Sequence, residues 1–277
     1  NPSVTQLYNA TKFSGRTKKG LGIGIINAVS APMYAGIKNT VTNEKRKELT
    51  EALTNYNILV LDQSLKNNSR IGFVNTSVTR AGNWRDANVS SFNFSIRDKT
   101  NTFSYSGFAN LSQVYDKTIS NKPQFGGYID YQFSKISGNV RLDFEQYVIT
   151  DKYDQNDMGI LFHGNEVSNF IGLKYFDFVP KGKMNNVSAY ISLQQTSLYK
   201  PFAYQDFNIN AGADVTFNNF WYWGTFFQTK PMKYYDYYEA RVEGTKFLRN
   251  PYVYWQTYAG SDARKAFSVE WSVGMGE

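Results

Sequence analysis

Apolar and polar residues alternate along most of the chain, and the stretch 124–147 shows this pattern most clearly. Phe125, Ile129 and Phe133 alternate with polar positions, and a second alternating run follows the polar turn 135–137. Two such runs joined by a short turn predict a long antiparallel hairpin. Strands of about ten residues with one apolar and one charged face are typical of barrels that cross a membrane, because the apolar face meets lipid.

The same unit recurs through the sequence and gives about fourteen predicted strands. They are Leu7 to Arg16, Leu21 to Ala31, Leu53 to Ser64, Arg70 to Arg80, Asn88 to Arg97, Thr102 to Gln113, Gln124 to Ser134, Asn139 to Tyr147, Glu166 to Phe178, Asn186 to Ser197, Gln205 to Phe217, Phe220 to Thr229, Tyr252 to Ser261 and Ala266 to Val273. Short turns and longer loops alternate between them. This order favours an all-β, transmembrane, antiparallel up-and-down β-barrel over a sandwich.

Three stretches need a separate interpretation. Leu21 to Ile37 holds no charged residue, but its glycines, its proline and its alternation predict a strand that enters a loop rather than a helical span. A long polar loop that contains Asn43 to Glu51 is predicted next, and Thr40 to Thr54 is charged enough for one exposed turn of helix at most. Lys230 to Asn250 is predicted to be a second long loop.

The direction of the end strands gives a further expectation. If the short turns are periplasmic, the first predicted strand runs inward and the last runs outward, whereas complete barrels of this kind begin and end on the periplasmic side. We therefore expect residues 1–277 to be a single-domain segment of a barrel with at least about sixteen strands. Its end strands would pair with strands outside this sequence, because unpaired strand edges are costly in hydrocarbon.

Composition agrees with a membrane barrel and narrows the function classes. Aromatic residues make up 17% of the chain, as expected for strands flanked by aromatic belts at two interfaces. The absence of cysteine excludes disulfides and thiolate metal sites. The net charge of +7 is spread over turns and loops, which argues against nucleic-acid binding. His163 is the only histidine and has no nucleophile motif near it, so we do not expect an enzyme.

One face of the predicted strands carries charged and polar side chains that would line the barrel interior and contact a polar substrate or ions. The candidates are Asp130, Arg141, Asp143, Glu145, Tyr147, Lys174, Asp206 and Asp214. A ladder of ion pairs that only fills the interior explains the same pattern, and we favour it because barrel interiors are ordinarily polar.

The loop 150–165 is rich in carboxylates and amides. Asp151, Asp154, Asn156 and Asp157 supply oxygen ligands of the kind that Ca²⁺ prefers, so this loop is a candidate cation site. The alternative is that Asp and Asn cap turns in a hydrated loop, since the spacing does not match an EF-hand. Apart from Ca²⁺ the sequence indicates no cofactor. We expect this loop on the outer side, opposite the short turns.

Aromatic residues cluster around the last long loop. Trp221 and Trp223 are expected in an interfacial belt. The tyrosines of the loop leave two interpretations open, a continuation of the belt or a surface on which sugars stack, and they are Tyr234, Tyr235, Tyr237 and Tyr238.

Four stretches resemble a domain of unknown function that is common in envelope proteins of the Bacteroidota. They are Gln6–Val29 (QLYNATKFSGRTKKGLGIGIINAV), Leu53–Ser69 (LTNYNILVLDQSLKNNS), Arg85–Val89 (RDANV) and Tyr153–Leu161 (YDQNDMGIL). In that family the barrel follows a carbohydrate-binding module of the family-nine type. The resemblance therefore implies an outer-membrane β-barrel and a module upstream of this sequence, and it implies no catalytic residue.

Together these observations predict a porin-like or transport barrel of the bacterial outer membrane that handles polar nutrients such as glycans. The alternative is a scaffold barrel that does not transport and instead holds a binding module or a partner complex at the cell surface. The expected partners are outer-membrane lipid, a glycan ligand and proteins of an envelope complex.

Overall fold

The computed structural model describes residues 6–242 and 244–277, whose secondary structure consists of strands joined by turns and loops. The strands are β1 (Leu7–Arg16), β2 (Leu21–Ser30), β3 (Met33–Lys38), β4 (Lys45–Glu51), β5 (Thr54–Ser64), β6 (Arg70–Arg80), β7 (Asp86–Arg97), β8 (Phe103–Tyr115), β9 (Gln124–Lys135), β10 (Val140–Ile149), β11 (Glu166–Asp177), β12 (Met184–Leu198), β13 (Ala203–Phe217), β14 (Tyr222–Lys230), β15 (Tyr234–Asp236), β16 (Phe247–Arg249), β17 (Tyr252–Gly260) and β18 (Glu270–Gly276). Among these residues there is no helix with the length and apolar character needed to cross a membrane.

Fourteen strands form one sheet in the order β1-β2-β5-β6-β7-β8-β9-β10-β11-β12-β13-β14-β17-β18. Neighbours such as β5 and β6, or β12 and β13, pair antiparallel along their whole length. Two short hairpins, β3–β4 and β15–β16, are inserted between neighbouring strands and form sheets of their own. The predicted all-β antiparallel order is confirmed. Closure into a larger transmembrane barrel stays a prediction.

The predicted loops after the second strand and after the twelfth predicted strand contain these inserted hairpins, so that part of the prediction is wrong. Charged β4 pairs with β3, and β15 pairs with β16. Most residues of β3, β4 and β16 are exposed. An exposed ribbon needs no apolar face, so the alternation that marks the other strands is missing from its sequence.

Two further details differ from the prediction. The last strand begins at Glu270 rather than Ala266, because the preceding residues close a turn in which the N–H of Ser261 donates to the carbonyl of Val269 at 2.8 Å. The connection 199–202 is as short as the turns at the other end of the strands, so short and long connections do not alternate strictly.

Consecutive antiparallel strands place their connections alternately at two ends of the ladder. We call one end the turn side, with the connections 17–20, 65–69, 98–102, 136–139, 178–183, 218–221 and 261–269. We call the other end the loop side, with the connections 31–53, 81–85, 116–123, 150–165, 199–202 and 231–251. The turn between β5 and β6 contains Asn67 and Asn68, whose φ values of 58° and 53° lie in the left-handed region that Asn tolerates.

The chain forms two compact units. Unit 1 contains residues 6–95 together with Gly107–Ile129 and Ile149–Gly164, and unit 2 contains Ile96–Ser106, Asp130–Val148 and the described residues from Asn165 onward. In each unit, alternate side chains of a strand lie on opposite faces.

One face of each unit carries exposed apolar side chains, and we call it the apolar face. In unit 1 they include Ile25, Phe92, Leu111, Phe125 and Ile129. In unit 2 they include Phe133, Phe144, Ile171, Leu173, Ile191, Trp223, Val253, Trp255, Trp271 and Val273. The opposite face, which carries Asp62 in unit 1 and Asp214 in unit 2, is called the polar face.

Buried apolar side chains gather at the loop side of unit 1, and they are Ala31, Ala52, Val78, Ala87, Val114, Ile149 and Tyr153. Val78 is 1% exposed and pairs with Ala87 on the polar face of β6 and β7. On the apolar face of the same strands, the Asn75 amide donates to Asn88 Oδ1 and Ser90 Oγ, both at 2.9 Å. Toward the loop side of β6 and β7, apolar side chains therefore lie on the polar face and polar side chains lie on the apolar face.

Candidate functional site

The charges predicted on β10 and β11 pair with each other on the polar face of unit 2. Lys174 Nζ lies 2.7 Å from Asp143 Oδ2, and Ser134 donates a hydrogen bond of 2.8 Å to Asp143 Oδ1. The carboxylate of Asp143 is thus bound from both neighbouring strands, β9 and β11. Lys174 joins the charged row from the next strand, as expected.

The other members of the row also contact adjacent strands. The carboxyl groups of Asp130 on β9 and Glu145 on β10 lie close enough to interact. The hydroxyl of Tyr147 donates to the carboxylate of Glu166 on β11. The guanidinium of Arg141 lies over an aromatic ring of β11, 4.9 Å from the ring centre. The row forms a ladder of contacts between strands, which is the arrangement that the sequence favoured.

The two aspartates of β13 have partners on later strands. Lys230 Nζ lies 2.7 Å from Asp206 Oδ2, and both side chains are 18% exposed. The hydroxyl of Tyr258 donates to Asp214. The charges of β13 are therefore held by cross-strand contacts within unit 2.

Tyrosine rings on the polar face of unit 2 extend over glycines of neighbouring strands. A Cβ added at Gly212 would lie 2.6 Å from the ring of Tyr190, and one added at Gly260 would lie 2.5 Å from the ring of Tyr222. Each tyrosine ring fits in its position because the glycine beneath it has no side chain. The rings lie close to the backbone, so they take up little of the space in front of the sheet.

The segment 150–164 folds against the polar face of unit 1. A Cβ at Gly126 would lie 2.3 Å from the Cα of Tyr153, so the main chain of the segment rests directly on this glycine. Tyr153 is 5% exposed, and the N–H of Asp154 donates to Ser112 Oγ at 3.1 Å. The segment is therefore packed onto β8 and β9.

Two arginines at the loop side of β6 bind the same segment. Arg80 Nη2 lies 2.8 Å from Asp157 Oδ1, and Arg85 Nη2 lies 2.7 Å from Asp157 Oδ2. Arg85 Nη2 also lies 2.8 Å from Asp154 Oδ2. The Asp157 side chain is only 10% exposed, and both of its oxygens are bound by guanidinium groups.

The pKa values of these groups agree with ion pairing. Burial by itself would raise the pKa of Asp154, but hydrogen bonds from the N–H of Asn156 and from Arg85 outweigh burial and bring this pKa below its ordinary value. Burial would lower the pKa of Arg85, and its contacts with Asp154 and Asp157 raise it above its ordinary value. Asp154 and Arg85 are therefore both charged near neutral pH.

The predicted Ca²⁺ site is not assembled, and that prediction is wrong. Asp154 and Asp157 are bound to arginines, Asn156 Oδ1 accepts the N–H of Leu161 at 2.6 Å, and Asp151 lies exposed at the start of the segment. Over residues 6–242 and 244–277, no three or more His, Cys, Asp or Glu side chains are placed to hold a metal ion. The guanidinium groups neutralise the carboxylates that a hard cation would need.

The aromatic residues around the last long loop fall into two groups. Trp223 lies on the apolar face, and its indole N–H donates to Thr257 Oγ1 at 3.0 Å. In the loop, Lys246 Nζ lies 3.9 Å from the ring centre of Tyr235 and 5.5 Å from that of Tyr237. These two rings already contact a cation of the same chain.

The spacing of charged residues in the sequence does not identify Arg80 and Arg85 as the partners of the acidic loop. An indication was present, because Arg85–Val89 and Tyr153–Leu161 are two of the stretches that carry the family resemblance. They lie far apart in the sequence, and the ion pairs of Arg85 with the two aspartates join them.

The fold and this site define an all-β protein whose extended antiparallel sheet separates apolar from polar side chains on two faces. The whole chain, residues 1–277, matches the family described as Domain of unknown function (DUF5916), and the chain belongs to that family. No curated protein and no solved structure gives a significant match.

Replacing Gly126 by Ala should release the segment 150–164, because the new Cβ cannot coexist with the main chain of Tyr153 at 2.3 Å. We expect faster tryptic cleavage after Lys152, which is exposed but is followed by the buried Tyr153. Gly127→Ala is the matched control, since its Cβ would meet its nearest atom at an ordinary 3.8 Å. Equal cleavage rates in the two variants would contradict this account of how the segment is held.

Proposed function

We propose that this chain forms part of an outer-membrane β-barrel that passes polar solutes. The observation that carries the proposal is the exposed apolar face that each of the two units carries, with its large side chains. Such a surface is unfavourable in water and favourable against lipid. Strands of up to 15 residues, in β12 and β13, are long enough to cross the hydrocarbon layer. In the proposed barrel the polar face lines the lumen.

Tryptophans on the apolar face support this orientation. The indole N–H of Trp255 donates to Thr225 Oγ1 at 2.9 Å, and that of Trp223 donates to Thr257 Oγ1 at 3.0 Å. An indole N–H without a partner is unfavourable in hydrocarbon, and the threonine of the neighbouring strand removes that penalty. The rings can then contact lipid.

The pairing of charges on the polar face favours uncharged solutes. Arg16 with Asp62, Lys174 with Asp143 and Lys230 with Asp206 each join one cation to one carboxylate at 2.6, 2.7 and 2.7 Å. A lumen lined by such pairs exerts little net field on an ion, while its hydroxyl and amide groups can exchange hydrogen bonds with a sugar. Glycans are therefore the substrate class that we propose.

A scaffold function remains the second candidate, and the hairpin β3–β4 favours it. This ribbon forms a two-stranded sheet of its own, and Val41 in its connection is 87% exposed. Isolated two-stranded ribbons are only marginally stable, and their free edges can pair with another chain. A partner that adds to β3–β4 would suit a barrel that holds a surface complex.

The assignment of the two faces is tested by arginine substitutions in β13. Ala211 lies on the apolar face, and Ala211→Arg should lower the free energy of unfolding by about 2–4 kcal/mol if the site is near the bilayer midplane, because the charge would enter hydrocarbon. Asn210→Arg is the matched control, and its side chain would stay on the polar face with a much smaller effect. Denaturant unfolding in lipid vesicles measures both. Equal losses would contradict the assignment.

Transport is tested by the swelling of liposomes that contain the protein. We expect swelling in iso-osmotic solutions of a neutral monosaccharide, at a rate well above that of protein-free liposomes, because the hydroxyl and amide groups of the polar face can exchange hydrogen bonds with the sugar. Heat-denatured protein serves as the control. If the substitutions in β13 behave as expected and no sugar causes swelling, transport is rejected in favour of the scaffold function.

A further inference from the structure

The segment 150–164 keeps its shape through its own hydrogen bonds. Asn156 Oδ1 accepts the N–H of Leu161 at 2.6 Å, and Gln155 Nε2 donates to the carbonyl of Ile160 at 3.0 Å. The segment therefore returns on itself before it enters β11.

Charged and main-chain contacts hold this folded segment from two directions. Tyr153 rests on Gly126 of β9, and Asp157 is bound by the guanidinium groups of Arg80 and Arg85. The N–H of Arg80 in turn donates to the carboxylate of Asp86 at 2.6 Å, which braces the connection that carries Arg85. The segment is fixed to the polar face rather than tethered only at its ends.

The segment also covers apolar surface. Gln155 and Met158 line the narrow gap above Val78 and Ala87, the buried pair on the polar face of β6 and β7. Removal of the segment would expose this pair to water, which is unfavourable. Hydrophobic burial therefore adds to the ion pairs in keeping the segment in place.

We propose that the segment 150–164 is a fixed constriction at the loop side of the channel and sets the largest solute that the channel admits. This proposal rests on the proposed function, since it requires the polar face to line a lumen. A folded segment that lies on the lumen-facing surface narrows the passage in front of it. The two arginines and the two aspartates that they bind cancel in charge, so the constriction selects by size rather than by charge.

The double variant Asp154→Asn/Asp157→Asn removes the charges to which Arg80 and Arg85 bind. Glu48→Gln is the control, because it also neutralises a carboxylate that faces an arginine, but in an exposed pair with a separation of 3.8 Å. Two measurements are made on each protein. Tryptic cleavage after Lys152 reports release of the segment, and liposome swelling with glucose oligomers of increasing length reports the size limit.

We expect trypsin to cleave the double variant faster than the other proteins. Liposomes that contain the double variant should swell severalfold faster with the longer glucose oligomers, with little change in the swelling rate for glucose itself. If cleavage is faster but the size limit is unchanged, the segment is not a constriction, and the transport function is unaffected by this result. An unchanged rate of cleavage would contradict the claim that the ion pairs hold the segment 150–164 in place. A lack of swelling with every sugar and every variant would reject transport, and the constriction with it.

A second variant keeps the proposal testable if the double variant does not fold. Gly126→Ala leaves both carboxylates in place and displaces the main chain at Tyr153 instead. It is put through the same two measurements with Gly127→Ala as its control. Release of the segment without a larger size limit would again overturn the constriction.

Discussion

The antiparallel ladder forces neighbouring side chains onto opposite faces of the sheet, and the rest of the structure depends on this constraint. Because one face is filled with exposed apolar side chains, the charges of the strands must lie on the other face, and there they need partners. The pairs Asp143–Lys174 and Asp206–Lys230 each join two neighbouring strands and meet that need. The proposed lipid contact and the proposed polar lumen are both consequences of this alternation.

The sequence predicted the strands whose two faces lie in different environments, one apolar and one polar. Hydropathy alternates along a strand only where its two faces differ in this way. β13 shows this well, since Phe207 and Ile209 alternate with Asp206 and Asn208. The hairpin β3–β4 was missed because both of its faces are exposed. The contact of Lys174 with Asp143 could be predicted because the two residues lie on strands that are neighbours in the sequence. The contacts of Asp157 join segments far apart in the chain, and the spacing of residues in the sequence does not reveal them.

The loop side of unit 1 departs from the alternation for a physical reason. There the segment 150–164 covers the polar face, so Val78 and Ala87 can be apolar on that face. The other face of the same strands carries hydrogen-bonded amides such as Asn75 and is suited to water or to lipid headgroups rather than to hydrocarbon. The loop that looked like a cation site is thus part of a small core, and its carboxylates serve as anchors for arginines.

The central claim is that the apolar face contacts the hydrocarbon of a membrane, and tryptophan quenching by lipids with brominated acyl chains tests it most directly. In one variant Trp255, on the apolar face of β17, is kept as the sole tryptophan. In the other Trp84, in the connection 81–85 at the loop side, is kept. The account predicts strong quenching of Trp255 and weak quenching of Trp84. Equal quenching of the two, or none at Trp255, would contradict it.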